Sequence, residues 1–99
     1  MELSPEQLTV VQNILRKQFP AVEVRVFGSR VKGSSKPHSD LDLAIMTDST
    51  IFPVKMAMLK EAFSESNLPF KVDCLDWAIT SDSFKECINS CFEIIQSAN

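Results

Sequence analysis

The sequence has no hydrophobic run that approaches the roughly 20 apolar residues needed to cross a bilayer. Its first residues also lack the basic start and the apolar stretch of a secretory signal. We therefore expect a protein that does not enter the membrane and lies in the cytoplasm. Internal repeats and low-complexity tracts are absent as well, and 99 residues suffice for one domain, which we place over residues 1–99.

Cysteine and histidine are scarce, with three cysteines and one histidine in the chain. An odd number of cysteines without paired spacing does not predict a disulfide framework. Cys87 and Cys91 are four residues apart and would share one face of a helix, where we expect them to be small buried hydrophobes. Because His38 is the only histidine, a metal site built from sulfur and imidazole ligands is not expected.

Concentrated positive charge is also missing. The formal net charge is −3 and the pI is near 5.0, and only Arg30, Lys32 and Lys36 form a basic cluster. Proteins that bind long nucleic acids normally neutralise the phosphates with a basic patch. The composition therefore disfavours extended DNA or RNA as a ligand, whereas a nucleoside triphosphate remains suitable if metal ions help to neutralise it.

Three segments repeat apolar residues at helical spacing, which predicts helices over residues 5–18, 53–66 and 82–96. The first begins with a capping box, in which Ser4 caps the helix and Gln7 stands three residues later. The residues expected to face the core from the last helix are Phe84, Ile88, Cys91 and Ile95.

Strands are predicted over residues 22–27, 40–46 and 70–75. The first alternates valine with other residues, at the period of two that marks a strand with one buried face. Residues 30–39 are polar and contain a glycine and a proline, which is typical of a short helix followed by a loop. The order of elements predicts an α+β fold, in which a small mixed β-sheet packs against helices.

Two acids stand at alternate positions of the second predicted strand. Asp40 and Asp42 point to the same side of a strand, while Leu41 and Leu43 point into the core. Adjacent carboxylates repel each other unless a cation lies between them, and such oxygen ligands suit Mg²⁺. The alternative is an amphipathic edge strand with solvated acids.

The first predicted strand ends in Gly28-Ser29 and opens a short helix. Backbone N–H groups at the start of a helix bind phosphate well, and glycine allows a phosphate to approach the backbone closely. Arg30 follows directly and would either pair with a phosphate or cap the local fold. The Gly-Ser turn and the Asp-x-Asp strand together predict one site.

A third acid, Asp73, lies near the middle of the third predicted strand. If the second and third strands are neighbours, Asp73 completes a cluster of three carboxylates around a pair of metal ions. Two alternatives remain: Asp73 is a surface acid paired with Lys71, or Asp76 at the end of the strand is the third carboxylate.

Two runs carry a resemblance to a known family: Phe27-Gly28-Ser29-Arg30-Val31-x-Gly33 and Ser39-Asp40-Leu41-Asp42-Leu43-Ala44. They resemble the signature of the DNA polymerase β-type nucleotidyltransferase superfamily. The small size makes the chain similar to the minimal nucleotidyltransferases (MNT), which are often encoded beside a helical HEPN-domain protein as toxin–antitoxin pairs. The resemblance extends over nearly the whole chain.

The resemblance implies Mg²⁺-dependent nucleotidyl transfer from a triphosphate, usually ATP. An acceptor hydroxyl attacks the α-phosphate and pyrophosphate leaves, with two Mg²⁺ ions on the attacking and leaving oxygens. The catalytic and metal-binding residues would be Asp40, Asp42 and Asp73, of which Asp73 would bind the metal nearest the acceptor. The nucleotide would be held by Gly28, Ser29, Arg30 and Ser39.

The resemblance also implies a partner, because antitoxins of this type transfer AMP to a tyrosine of a HEPN-domain toxin. Both homo-oligomers and hetero-oligomers remain open. Larger members of the family carry an additional helical domain over the nucleotide or the acceptor, which these 99 residues do not contain. A non-catalytic antitoxin that neutralises its partner by direct contact, and a nucleotidyltransferase that acts on a small molecule, therefore remain as alternatives.

Overall fold

Four strands form a single mixed sheet in the computed structural model, which describes residues 1–99. The elements in chain order are α1 (Pro5–Gln18), β1 (Val24–Phe27), α2 (Ser29–Lys32), β2 (Leu41–Ile45), α3 (Pro53–Ser64), β3 (Val72–Asp76), a 3-10 turn (Trp77–Ile79), α4 (Asp82–Ser90) and β4 (Glu93–Gln96). The predicted α+β class is confirmed. None of the helices has both the length and the hydropathy that a membrane span requires.

The strands lie in the order β3-β2-β1-β4. The central strand β1 is antiparallel to both β2 and β4, whereas β2 and β3 are parallel. Parallel neighbours need a long crossover connection, and the segment that contains α3 supplies it. The second and third strands of the sequence prediction are therefore neighbours in the sheet.

The main hydrophobic core lies between one face of the sheet and the helices α1 and α3. Val26 of β1 and Leu43 of β2 are fully buried there, against Leu15 of α1 and Leu59 of α3. The α1 helix starts as predicted, since Ser4 and Gln7 form a complete capping box. Strand residues alternate between faces, so the residues between the buried ones point to the opposite face of the sheet.

The opposite face is partly covered by α4. Near the start of this helix Phe84 meets Phe27 edge to face, with ring centroids 5.8 Å apart, and towards its end Asn89 accepts a hydrogen bond from Arg25. Ile88 lies between these contacts and is buried. Asp42 belongs to the same face beside Phe27 and remains partly exposed, so the uncovered part of this face is acidic.

The last helix is shorter than predicted. It ends at Ser90, and Glu93–Gln96 forms β4 along the free edge of β1, where the sequence predicts helix to residue 96. The segment around Ile94 and Ile95 is rich in β-branched residues, and the unpaired edge of β1 offers it backbone hydrogen bonds. Ile95 is buried as predicted, but it is a strand residue.

The prediction that the cysteines of the last helix are buried is wrong for Cys87, which is exposed, while Cys91 is partly buried beyond the helix end. Phe84 is also 42% exposed and does not belong to the core. The physical reason is that α4 covers only part of the sheet and buries a single residue, Ile88, completely.

The neighbouring residues Ile94 and Ile95 test the β4 assignment. Ile95 is 4% exposed and Ile94 is 51% exposed. We expect Ile95→Ala to lower the free energy of unfolding by about 2–4 kcal/mol, because it empties part of the core. The matched change Ile94→Ala should lower it by less than about 1 kcal/mol. Urea denaturation measures both, and equal losses would contradict the position of β4.

Candidate active site

The sheet register brings the predicted acids together. Asp42 on β2 is paired with Phe27 on β1 and with Asp73 on β3. Residues paired across neighbouring strands point to the same face, so the two carboxylates lie side by side. Asp40 directly precedes β2 and is exposed at the same end of the strand. The condition on which the three-carboxylate prediction depended, the pairing of the second and third strands, is met.

The carboxylates act on each other electrostatically. Burial raises the pKa of Asp42 above its ordinary value of 3.8, and the charges of Asp73 and Asp40 raise it further. All three causes disfavour the ionised form of Asp42. A bound cation would relieve the repulsion between the charges, which is the property expected of a site for a hard divalent metal ion.

The carboxylates do not converge on one point, however. No group of three or more histidine, cysteine, aspartate or glutamate side chains lies close enough to hold a metal ion. Asp73 is instead paired with Lys71, whose Nζ lies 3.3 Å from one carboxylate oxygen. Both side chains are largely exposed, and such surface pairs contribute about 0–1 kcal/mol, so a divalent cation can displace the lysine.

Asp76, the rival third acid, has a structural role. It is buried, and its two carboxylate oxygens accept hydrogen bonds from the backbone N–H groups of Ile51, at 2.9 Å, and Ala78, at 3.1 Å. The first bond ties the loop before α3 to the end of β3, and the second caps the 3-10 turn. These bonds favour Asp73 as the third acid of the site.

The Gly28-Ser29 turn lies directly against Asp42. Gly28 has φ +84° and ψ −157°, a conformation that only glycine adopts readily, and a Cβ atom placed on it would lie 2.4 Å from Oδ2 of Asp42. Gly28 is the N-cap of α2, whose first N–H groups have no acceptor within the helix. The turn and the acid are therefore parts of one surface.

Arg30 follows the second of its two predicted alternatives and supports the local fold. It is 5% exposed, and its guanidinium donates hydrogen bonds to the carbonyl oxygens of Ser39, at 2.8 and 3.1 Å, and Glu2, at 2.7 Å. Its charge also lies 4.1 Å from the centre of the Phe70 ring. Most of the donors of Arg30 are therefore occupied by the protein's own carbonyl groups.

Ser39 has a similar role. Its carbonyl accepts from Arg30, and its hydroxyl accepts from the backbone N–H of Lys36 at 2.8 Å. Both contacts hold the loop that leads into Asp40. The resemblance assigns Ser39 and Arg30 to the nucleotide, and in this structure both also hold the loop before the first acid of the Asp-x-Asp strand.

Two residues near the site are not apparent from the sequence pattern. Glu2 accepts hydrogen bonds from the hydroxyl and the N–H of Ser35, which lower the pKa of Glu2, and so it fastens the same loop. No local signal indicates this contact, because it joins residues 33 positions apart. Phe84 lies beside Phe27 and thus beside the acids, but its helical spacing suggested a core residue.

The comparison with sequences of known proteins agrees with this geometry. The family model for polymerase beta, nucleotidyltransferase, matches residues 10–99. A probable protein adenylyltransferase MntA from Haemophilus influenzae is 47% identical over 96 residues, which make up 97% of this chain and 84% of that protein.

Solved structures share the fold. A crystal structure of a toxin–antitoxin complex with AMP-PNP superposes with a TM-score of 0.77 at 21% identity, over 91% of this chain and 73% of that one. A tri-AMPylated HEPN toxin from Shewanella oneidensis in complex with an MNT antitoxin gives 0.65 at 19% identity, over 91% of this chain and 72% of the matched chain. At these identities the likeness establishes a common fold.

The two glycines test the contact between the turn and Asp42. Gly33 has φ +79° with nothing near its Cβ position, whereas Gly28 has both a positive φ and the contact with Asp42. We expect Gly33→Ala to lower the free energy of unfolding by about 1 kcal/mol and Gly28→Ala by at least about 2 kcal/mol. The excess should shrink in the Asp42→Ala background, as measured by a double-mutant cycle. Equal losses in both backgrounds would contradict the contact.

The raised pKa of Asp42 predicts a pH dependence of stability in metal-free protein. The folded state holds the Asp42 proton more tightly than the unfolded chain does, so stability from this group is present below pH 3.8 and is lost as the pH rises through the raised pKa. Asp42→Asn should therefore raise the free energy of unfolding at pH 7, and this gain should disappear towards pH 3.8. Denaturation in EDTA across this range measures it, with exposed Asp48→Asn as control. If the free energy of unfolding gained by Asp42→Asn does not depend on pH, the raised pKa of Asp42 is not its cause.

Proposed function

Because the chain belongs to the polymerase beta nucleotidyltransferase family, we propose that it is a Mg²⁺-dependent adenylyltransferase that transfers AMP from ATP to a protein hydroxyl. The acceptor is a tyrosine of a HEPN-type toxin, which the modification silences, so the protein acts as an antitoxin. The observation that carries this proposal is the position of Asp42, between Asp73 on the next strand and the Gly28 turn on its other side.

The donor set fits Mg²⁺. Asp40, Asp42 and Asp73 offer only carboxylate oxygens. Burial, together with the charges of Asp73 and Asp40, raises the pKa of Asp42, and no cation of the protein lowers it. Bound Mg²⁺ would stabilise the charge that develops on the attacking and leaving oxygens. Asp40 and Asp42 would hold the metal, which would in turn bind the triphosphate, and Asp73 would lie on the side from which the acceptor arrives.

The turn contributes the phosphate contacts. The N–H groups at the start of α2 and the Ser29 hydroxyl are hydrogen-bond donors for the triphosphate, and Gly28 lets that group lie close to the backbone. In the reaction, the tyrosine oxygen forms a bond to the α-phosphorus while the bond to pyrophosphate breaks. The hydroxyl proton passes to Asp73 or to water, so the charge is balanced.

The relatives support the choice of acceptor. One is named a probable protein adenylyltransferase, and one solved neighbour contains a tri-AMPylated HEPN toxin with an MNT antitoxin. The surface of this chain also suits a protein partner, because Phe52, Val54 and Met58 at the start of α3 are 77%, 69% and 52% exposed. Large apolar side chains exposed together are typical of protein-binding surfaces.

A non-catalytic antitoxin is the second candidate. The observation in its favour is that the acids do not form a ready-made metal cluster, since Lys71 is paired with Asp73. In that case the fold neutralises its partner by contact and the carboxylates are remnants. The catalytic candidate requires the acids for protection against the toxin, whereas the non-catalytic candidate does not.

Labelled ATP distinguishes the candidates. We expect α-labelled ATP with Mg²⁺ to label the HEPN-domain protein, and Asp42→Asn to lower the rate at least about 100-fold, because it removes a group that aligns metal and phosphate. EDTA should abolish labelling, whereas Asp48→Asn should retain it. If the stably folded Asp40→Asn, Asp42→Asn double variant still protects cells from the toxin, contact alone is sufficient and the catalytic proposal fails.

A further inference from the structure

A groove runs beside the third strand, adjacent to the acids. It has a volume of about 490 Å³ and lies between α3 and the edge of β3. Its walls combine polar and apolar groups, with Lys60 and Phe63 of α3 on one side and Val72 and Cys74 of β3 on the other. Asp73 also lines it, so the groove and the face that carries the acids meet at this residue of the outer strand.

The β3 side of the groove offers unpaired backbone groups. β3 is the outer strand of the sheet, and the carbonyl of Lys71 accepts a hydrogen bond from the N–H of Leu41 on the β2 side. Backbone groups of a strand point alternately to its two sides, so those of Val72 and Cys74 point away from β2 and into the groove. The carbonyl of Asp76, next in this series, accepts from the Thr80 hydroxyl, which fits this alternation.

The charges of the groove favour an acidic ligand. Lys60 and Lys71 both line it, against the single carboxylate of Asp73, although the whole chain carries a net charge of −3. Two lysines beside apolar side chains attract acidic side chains that flank an apolar one.

We propose that this groove binds an extended, acidic segment of the acceptor protein, which adds to the sheet along β3 and presents its hydroxyl beside Asp73. The inference rests on the proposed function and specifies how that site receives its substrate. Strand addition uses main-chain hydrogen bonds for affinity and pockets for alternate side chains for selection. Successive residues of such a strand point to opposite faces of the sheet, so the residues on either side of the acceptor residue would lie on the α3 side with Val72 and Cys74, and the acceptor hydroxyl on the face that carries Asp73.

Lys71 links docking to the reaction. In the structure it holds Asp73 by an exposed ion pair. A carboxylate of the docked segment competes for the same lysine, which releases Asp73 to the metal. The groove therefore selects the acceptor and completes the site in one step.

Charge reversal tests the groove. Lys60 on α3 is not assigned to the reaction, and Lys17 at the end of α1 lies outside the groove, so Lys60→Glu and Lys17→Glu form a matched pair. With the HEPN-domain protein as acceptor, Lys60→Glu should raise the KM for the acceptor about 10-fold or more and leave kcat and the KM for ATP within about twofold. Lys17→Glu should leave all three values unchanged.

Hydrogen exchange tests the strand addition. In the inactive Asp42→Asn protein, added acceptor should slow exchange of the Val72 and Cys74 amides, while the amides of β4, the other outer strand, should keep their rates. Protection of β3 that grows with protein concentration in the absence of acceptor would identify a second copy of this chain as the occupant, and would overturn the inference.

The possible failures are distinguishable. If the protein without substitutions does not transfer label from ATP to the acceptor, the proposed function fails and the groove inference fails with it. If labelling occurs but Lys60→Glu and Lys17→Glu have the same KM and the β3 amides exchange as before, the adenylyltransferase stands and only the groove inference is wrong.

Discussion

The pairing of Asp42 with Phe27 on one strand and Asp73 on the other is the constraint on which the rest of the site depends. It fixes which face carries the acids and how far apart they lie. The same register puts Leu41 and Leu43 into the core, so a slip of one residue would expose leucine and bury aspartate. The hydrophobic core thus enforces the alignment of the carboxylates, and no separate device is needed to keep them in place.

The site itself opposes folding, and the surrounding contacts compensate. Like charges gather on the uncovered face, where burial and repulsion both raise the pKa of Asp42. The loop leading into Asp40 is held by Arg30, a buried cation that gives its hydrogen bonds to backbone carbonyls. Buried charges are tolerated when they are fully hydrogen-bonded, and here the arrangement makes a polar loop rigid next to the acids. A rigid loop keeps the carboxylate of Asp40 in place at the start of β2.

Signals from neighbouring residues are sufficient to predict much of the fold. They are not sufficient where segments that are distant in the sequence meet. The capping box placed the start of α1, and the alternation of Asp and Leu identified the face of β2, because both depend on neighbouring residues. The third acid could be proposed only conditionally, since its place depends on the pairing of β2 with β3. The strand around Ile95 was predicted as helix because its apolar residues also fit a helical spacing, and only the free edge of β1 decides between the two. The hydrogen bond between Glu2 and Ser35 corresponds to no pattern in the sequence.

The closeness of Gly28 to Asp42 changes how a glycine at this position should be interpreted in related chains. The glycine is usually read as a mark of phosphate binding, yet here its missing side chain also makes room for an aspartate. A descendant that lost catalysis but retained the aspartate would still be unable to replace the glycine. A glycine at this position therefore does not by itself indicate an active enzyme.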